Sequence, residues 1–493
     1  MRRRELVLLA LLLLGYLVLG TLFAVRTPAW QAPDEPAHVN YVRQLVQGGL
    51  PIIAPGDWDQ EYLSQVVGAE FAPAYPVDGL TYEDWQPPLY YLLQAPIFAL
   101  SGGSLLAMRL LSVMLGAGVV ALAYVVGRAV FDGDIPAALA VAAFVAFVPQ
   151  HLAILGSVNN DSLAELIIAA MLALLVVPWP EAPPQFHPLG GKKESSPPVG
   201  GINERRRLLA LGLLLGAGFL TKGTVYIMAP VVGVFLLVRY WPRRPDRSAV
   251  ESLDRQKAST ADLSGLIRPL LLVFIPALLL GLLWWGRNVA VYGGMDVIGN
   301  VAHDAVVVGQ PRTAEWIAQY GLGGSLARFL RTTFTSFWGQ FGWMAAPLPG
   351  WMVGALAVVT LAVVVGLVMV IVPRAGEQGS RGAGARRPND EPFFTRHSPL
   401  ATRHLLILGL TFLLTLSLHV VYNLTFVQHQ GRYLFPALIP IAVGFVVGLG
   451  YWLRPLVRRW AWAAWLLPLG IAVLLGGIAL YALWRILPGL APG

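Results

Sequence analysis

Two neighbouring carboxylates stand directly after the first apolar segment of the chain. The motif PDEPAH occupies residues 33–38 and contains Asp34 and Glu35, followed by His38. A carboxylate at the boundary between water and lipid is suited to act as a general base. The second proline of the motif also favours a first helical turn, so the alternative is that these acids only cap a surface helix over 37–48.

Two further polar motifs lie at the ends of apolar segments. The motif SVNND at 157–161 contains Asn160 and Asp161, which are good helix N-caps but also indicate a polar pocket at membrane level. The motif WQPPLYY at 85–91 contains Tyr90 and is either an interfacial aromatic turn or part of a site. Helix capping alone would explain most of the motif at 157–161.

Three cations are expected at the same face of the membrane. Lys222 stands in the link TKG between two apolar runs, Arg287 closes the seventh apolar segment, and Arg432 belongs to the motif QGRY at 430–433. Cations within or next to a membrane are functional candidates, and a guanidinium group matches phosphate oxygens. The alternative is that these side chains only extend to the lipid headgroups.

Carboxylates and cations at one membrane face predict a defined chemistry. A carboxylate would take the proton of an acceptor hydroxyl, and the cations would hold a lipid-borne leaving phosphate and stabilise its developing charge. This chemistry requires that loops far apart in sequence come together in the fold, which is a hypothesis.

The composition shows which elements must position these residues. Apolar types make up 56% of the 493 residues and charged types 13%. Continuous apolar runs of about 20 residues are the length that a membrane-spanning helix needs, and their lack of alternation excludes a barrel. We therefore predict an all-α polytopic membrane protein with about 11 spans (11–13), at 5–25, 104–127, 135–152, 161–178, 206–220, 224–240, 266–286, 350–373, 404–424, 434–453 and 461–483.

The distribution of positive charge predicts the orientation. With the N-terminus inside, 25 of the 35 Lys and Arg residues fall in inside loops or at their edges. Segments 87–100 and 326–345 are ambiguous, and we expect both to lie flat on the outer surface; if both span, the count is thirteen. The whole chain, 1–493, is then one membrane domain with a first outer loop at 26–103 carrying interfacial helices, a second outer region at 287–349, and disordered inside loops at 179–205 and 374–403.

Other features exclude several classes of protein. The absence of cysteine excludes disulfides and thiolate metal sites. The net charge of +8 lies in short loops between apolar runs, so no nucleic-acid partner is expected. The N-terminal apolar segment is interpreted as a retained helix and not as a cleaved signal peptide. No cofactor is certain; a divalent metal would suit the carboxylates, but no clear motif supports one.

The motifs together resemble those of the GT-C membrane glycosyltransferases. The resemblance rests on PDEPAH, PPLYY, TKG, WWGRN and QGRY, in that order, and covers about residues 5–455. It is greatest to a bacterial group of predicted membrane proteins with PDEPAH, NND, FWGQFGW and QGRYLFP motifs. It is looser to protein O-mannosyltransferases and to the lipid A aminoarabinose transferase.

This resemblance implies an inverting hexosyl- or pentosyltransferase of the bacterial cytoplasmic membrane, with an extracytoplasmic site. The donor would be a polyprenyl-phosphate-linked sugar and the acceptor a lipid, glycan or protein. Asp34 would be the general base beside Glu35, and Lys222, Arg432 and Arg287 would hold the donor phosphate. Supporting or substrate-binding roles would fall to His38, Tyr90, Asn160, Asp161, Gln430 and Tyr433.

Two alternatives stay open. A transporter or flippase of a lipid-linked saccharide would want polar groups across the bilayer midplane, whereas the charges here cluster at one face. A ligase or polymerase of surface polysaccharide would rely on outer-loop Arg and His more than on an acidic pair.

Overall fold

The protein is almost entirely helical. The computed structural model describes residues 3–179, 202–241, 264–371 and 402–491. In this part of the chain a short hairpin pairs β1 (Gln340–Phe341) with β2 (Ala346–Pro347), and seventeen α-helices are numbered in chain order: α1 (Arg3–Arg26), α2 (Glu35–Gln47), α3 (Gln60–Gly68), α4 (Leu89–Ser101), α5 (Leu105–Val130), α6 (Ile135–Phe147), α7 (Pro149–Leu155), α8 (Asp161–Val176), α9 (Ile202–Phe219), α10 (Met228–Tyr240), α11 (Ser264–Tyr292), α12 (Asn300–Val306), α13 (Thr313–Trp338), α14 (Gly350–Ile371), α15 (Thr402–Tyr422), α16 (Leu438–Arg459) and α17 (Leu466–Tyr481).

The predicted class, a helical polytopic membrane protein, is confirmed. Each of the eleven predicted spans is helical where it is described, and eight helices are long and apolar enough to cross a membrane, or nine if one bent pair is a single span. The two remaining predicted spans are not among these candidates, for physical reasons. Helix α8 has only 16 residues, and α9 carries four charged residues in its first two turns. The count of eleven stays a prediction.

The bent pair is α6 and α7, which meet at 63°. Pro149 occupies the first position of α7, and Val148 before it has an extended conformation. Proline lacks the amide hydrogen that a continuous helix needs and disfavours helical geometry in the residue before it, so the span breaks there. The break directs the chain towards the polar motif at 157–161, while α6 is buried along nearly its whole length in the bundle.

The first outer loop folds into a helical layer across one end of the bundle. The predicted surface helix over 37–48 is α2, and the ambiguous segment at 87–100 forms α4, a short apolar helix. The rings of Tyr41 and Tyr91 stack with centroids 3.7 Å apart, which joins α2 to α4. The backbone N–H of Leu89 donates to the carbonyl of Leu220 at 2.8 Å, so the layer is also attached to the end of α9.

The second outer region belongs to the same layer. The Trp58 indole donates to the carbonyl of Val308 at 2.7 Å, and the Trp343 indole donates to the carbonyl of Trp30 at 2.9 Å. Helix α13, which contains most of the segment 326–345, is not among the candidate spans. Most of the two predicted disordered loops, residues 180–201 of the first and 374–401 of the second, lies outside the described residues.

Candidate functional site

Asp34 precedes α2 in a strained conformation and points its carboxylate away from that helix. Its φ is +66°, in the left-handed region that non-glycine residues rarely adopt, and its side chain makes no capping hydrogen bond. Arg432 donates to one oxygen of Asp34 at 2.5 Å, and the Tyr82 hydroxyl donates to the other at 3.1 Å. The capping interpretation is therefore wrong for Asp34. Strain of this kind is concentrated at functional sites.

Arg432 reaches Asp34 from a 3-10 turn, Gly431–Ala437, that precedes α16. A Cβ at Gly431 would lie 2.3 Å from the backbone nitrogen of Phe337, so only glycine lets this turn lie against α13. The Arg432 side chain is 7% exposed, and its Nε and Nη1 have no hydrogen-bond partner among the described residues. A buried guanidinium with unpaired donors is prepared to bind an anion, since unsatisfied buried donors are costly.

A second ion pair lies beside the first. The Lys222 ammonium donates to Asp161 at 2.6 Å, across 61 positions of sequence. Asp161 is the first residue of α8, where a carboxylate is also favoured by the helix dipole. Lys222 lies in the link between α9 and α10, as expected for a cation at the end of two spans.

Electrostatics joins the two ion pairs into one cluster. Burial of the Asp34 carboxyl raises its pKa, but the charges of Arg432 and Lys222 outweigh this and hold the pKa below its usual value. Asp34 is therefore ionised at neutral pH. Burial lowers the pKa of His38 to about 3 in spite of the nearby carboxylates, so its imidazole is neutral.

Neutral polar side chains line the same cluster. His38 Nδ1 lies 2.9 Å from the Tyr91 hydroxyl, and the amide nitrogen of Asn160 donates to that hydroxyl and to the side-chain oxygen of Gln86, both at 3.3 Å. The side-chain oxygen of Asn160 is buried and has no partner among the described residues. The Tyr433 ring lies 5.5 Å from the Arg432 guanidinium. His38, Asn160 and Tyr433 thus accompany the charged groups.

Glu35 requires a correction. It is fully buried, and both of its oxygens are occupied: Arg109 donates to them at 2.8 and 2.6 Å, and the backbone N–H groups of Val158 and Trp30 donate at 3.1 and 3.3 Å. These contacts bind α2, α5 and the motif at 157–161 together, and we assign Glu35 this structural role instead of a catalytic one. Arg109 was missed, although a lone arginine within a predicted span is itself a signal.

Three other expected site residues make contacts outside the two ion pairs. Arg287 donates to the carbonyl of Pro51 and to Tyr292. Tyr90 is fully buried and bonds Ser112 at 2.9 Å, between α4 and α5. Gln430 donates its side-chain amide to Gln428 at 3.0 Å. These contacts fix loops and helices, and the expectation that the three residues bind substrate stays a prediction.

Glu83 is a second residue that no sequence motif indicated. Its Oε2 is buried without a hydrogen-bond partner among the described residues. Burial and the charge of Asp34 raise its pKa to about 8, although Lys222 and Arg432 act in the opposite direction. In the sequence Glu83 is one of nine carboxylates of the first outer loop, and nothing local distinguishes it from the others.

A metal site would need a further ligand. Across the described ranges, no group of three or more His, Asp or Glu side chains is arranged to hold a metal ion. Asp34 and Asp161 are each paired with a cation, and a cation next to a carboxylate disfavours a metal there. The arrangement fits an anionic ligand better.

Comparisons with known structures return distant likenesses. The structure of the S. cerevisiae protein O-mannosyltransferase Pmt1–Pmt2 complex bound to the sugar donor has 18% identity and a TM-score of 0.39, over 58% of this chain and 34% of that one. ArnT from Cupriavidus metallidurans bound to undecaprenyl phosphate has 14% identity and a TM-score of 0.42, over 98% of this chain and 73% of that one. The Archaeoglobus fulgidus oligosaccharyltransferase in complex with Zn and sulfate has 15% identity and a TM-score of 0.48, over 94% of this chain and 53% of that one.

The chain thus spans about a third of the length of the yeast protein. No curated protein matches its sequence. The sequence model of one family, described as dolichyl-phosphate-mannose-protein mannosyltransferase, matches residues 84–283, which contain Asp161 and Lys222 of the cluster.

Proposed function

We propose that this protein is an inverting membrane glycosyltransferase that moves a sugar from a polyprenyl-phosphate-linked donor to an acceptor hydroxyl or similar nucleophile. The observation that carries the proposal is Arg432, a buried cation that contacts the carboxylate of Asp34 and has two donor nitrogens unpaired in the part of the chain that the structure describes. The match of residues 84–283 to a family described by a lipid-phosphate sugar donor supports the same reaction class.

The cations would act on the donor phosphate. Arg432 offers two free nitrogens of a planar fork, and Lys222 adds a compact charge beside it, which suits the oxygens of a phosphate. When the bond between the sugar C1 and the phosphate oxygen breaks, negative charge grows on the phosphate. Buried cations fixed in advance stabilise that charge without reorganisation.

Asp34 would take the proton of the acceptor. Attack by the acceptor oxygen on the face of C1 opposite the phosphate inverts the anomeric centre, and the displaced hydroxyl proton passes to the Asp34 carboxylate. The ion pair with Arg432 keeps Asp34 ionised but also weakens it as a base. Binding of the donor phosphate would engage the guanidinium, loosen its contact with Asp34 and make the carboxylate more basic.

The surroundings of the reaction follow from the same proposal. The cluster joins Asp34, at the start of α2, to residues at the ends of α8, α9 and α16, and a lipid-borne phosphate at the membrane surface would reach it there. We assign this end to the extracytoplasmic face of the bacterial cytoplasmic membrane, because the opposite loops carry most of the Lys and Arg residues. The acceptor would be a lipid, a glycan or a protein.

The test is donor turnover by purified protein. Incubation with a panel of polyprenyl-phosphate sugars should release polyprenyl phosphate, and Asp34→Asn, Lys222→Ala and Arg432→Ala should each abolish release. Asp78→Asn, which alters an exposed carboxylate of the same outer loop, is the control and should keep wild-type turnover. Lack of turnover with every donor, or turnover that survives in Asp34→Asn and Arg432→Ala, would contradict the proposal and favour a transporter of lipid-linked saccharides.

A further inference from the structure

Two carboxyl groups of the cluster are held in contrasting surroundings. Both oxygens of Asp34 accept hydrogen bonds, one of them from a guanidinium. Within the described part of the chain Glu83 makes no such ion pair, one of its oxygens is buried without a partner, and the Gln86 side chain bonds the carboxyl. The same loop thus supplies an acid whose surroundings do not favour its charged form.

The charges around Glu83 do not overcome the effect of burial on its pKa. Asp34 opposes its ionisation, while Lys222 and Arg432 favour it, and the desolvation of the carboxyl is the largest influence. The phenols of Tyr82 and Tyr91 also lie near Glu83, and burial raises the pKa of both well above its ordinary value, so they are neutral at neutral pH. The resulting pKa of about 8 means that Glu83 carries a proton at neutral pH while Asp34 does not.

A purely structural role explains Glu83 poorly. A buried carboxyl that serves packing normally has both oxygens hydrogen-bonded, as Glu35 does in this protein. An unpaired buried oxygen on the residue that follows Tyr82, a ligand of the Asp34 carboxylate, is instead expected where a bound molecule completes the hydrogen bonding. Carboxyl pairs whose surroundings separate their pKa values are the usual basis for assigning one acid and one base.

Resting on the proposed function, we propose that Glu83 is the general acid of the transfer and protonates the departing lipid phosphate. Glu83 lies between Tyr82, whose hydroxyl bonds Asp34, and Gln86, whose side chain bonds Asn160, so its carboxyl and the phosphate oxygens would share one pocket.

Each proton in the proposed reaction has a donor and an acceptor. The bond between C1 and the phosphate oxygen breaks, the acceptor oxygen bonds C1, its proton passes to Asp34, and the proton of Glu83 passes to a phosphate oxygen. After the products leave, Asp34 gives up its proton to water and Glu83 regains one.

The experiment compares Glu83→Gln with the wild type and with Glu61→Gln, a matched change at an exposed glutamate of the same loop. The readouts are kcat, the donor KM and the dependence of kcat/KM on pH, measured with the polyprenyl-phosphate sugar that the wild type turns over. We expect Glu83→Gln to lower kcat by about 100-fold or more with little change in KM, as for loss of a general acid. Binding of polyprenyl phosphate by the variant shows that it is folded.

Two readouts separate an acid from a structural residue. The wild type should lose activity as the pH rises through about 8, because Glu83 then loses its proton, and Glu83→Gln should lack this alkaline limb. Small carboxylic acids such as formate should partly restore Glu83→Ala, since they can occupy the vacated space and donate a proton.

The outcomes are distinguishable from those of the proposed function. Wild-type turnover together with undiminished kcat in Glu83→Gln, or an alkaline limb retained in that variant, overturns the role of Glu83 alone. Absence of wild-type turnover overturns the proposed function and this inference with it.

Discussion

Replacement of Arg432 by lysine is the most informative single perturbation of the cluster. Alanine would leave the partly buried Asp34 carboxylate without its cationic partner, which destabilises the fold. Lysine keeps the positive charge next to Asp34 but removes the planar fork whose Nε and Nη1 are unpaired in this structure. The variant therefore isolates the contribution of the free donors to phosphate binding.

The magnitude follows from the number of lost contacts. A hydrogen bond to a charged group contributes about 1.5–3 kcal/mol, and lysine would forgo one or two of the contacts that the fork offers a phosphate. A loss of about 2–4 kcal/mol corresponds to a decrease in kcat/KM of roughly 30- to 1,000-fold.

The assay measures kcat/KM for the donor and the dissociation constant of polyprenyl phosphate. Arg43→Lys is the matched control, because Arg43 forms an ion pair with Asp78 at the exposed surface of the outer loop and such pairs contribute little. A variant with Lys at position 432 that retains wild-type kcat/KM and wild-type affinity for polyprenyl phosphate would refute the role of the guanidinium fork.

Three further predictions concern the same region. Glu35→Gln should lower the thermal stability of the purified protein markedly, because it leaves Arg109 buried without its counter-ion, and adding Arg109→Met should restore part of the loss; equal melting temperatures for the wild type and Glu35→Gln would contradict the structural role. Gly431→Ala should weaken polyprenyl-phosphate binding at least tenfold, because its Cβ would meet the backbone of Phe337 and displace the turn that carries the guanidinium; unchanged binding would show that the turn can shift without consequence. The acid limb of kcat/KM should lie below the usual carboxyl range, because Asp34 must be ionised to accept a proton and its pKa is depressed; a limb above pH 5 would contradict this assignment.

The membrane-spanning helices were predictable because hydropathy is a local property. A run of apolar residues long enough to cross a bilayer is read directly from the chain, and every predicted span is helical where it is described. The boundaries were less predictable where proline intervenes. The break between α6 and α7 falls at Pro149, and only the structure gives the 63° angle at which the two helices meet.

The residue types of the site were also predictable. Charged side chains at the ends of apolar segments are costly unless they have a purpose, which directed attention to Asp34, Asp161, Lys222 and Arg432. The structure brings these four together, although their chemical roles stay proposals. Arg109 carried the same signal from within a predicted span and was overlooked.

The tertiary structure decided which carboxylate pairs with which cation. Asp34 and Arg432 are 398 positions apart, and no local pattern indicates that they form a pair while the adjacent Glu35 bonds Arg109 instead. The reason is geometric: neighbouring residues at the start of α2 point in different directions, so one carboxylate enters the polar cluster and the other the interior. The protonation of Glu83 depends in the same way on burial, which only the folded arrangement of the loops creates.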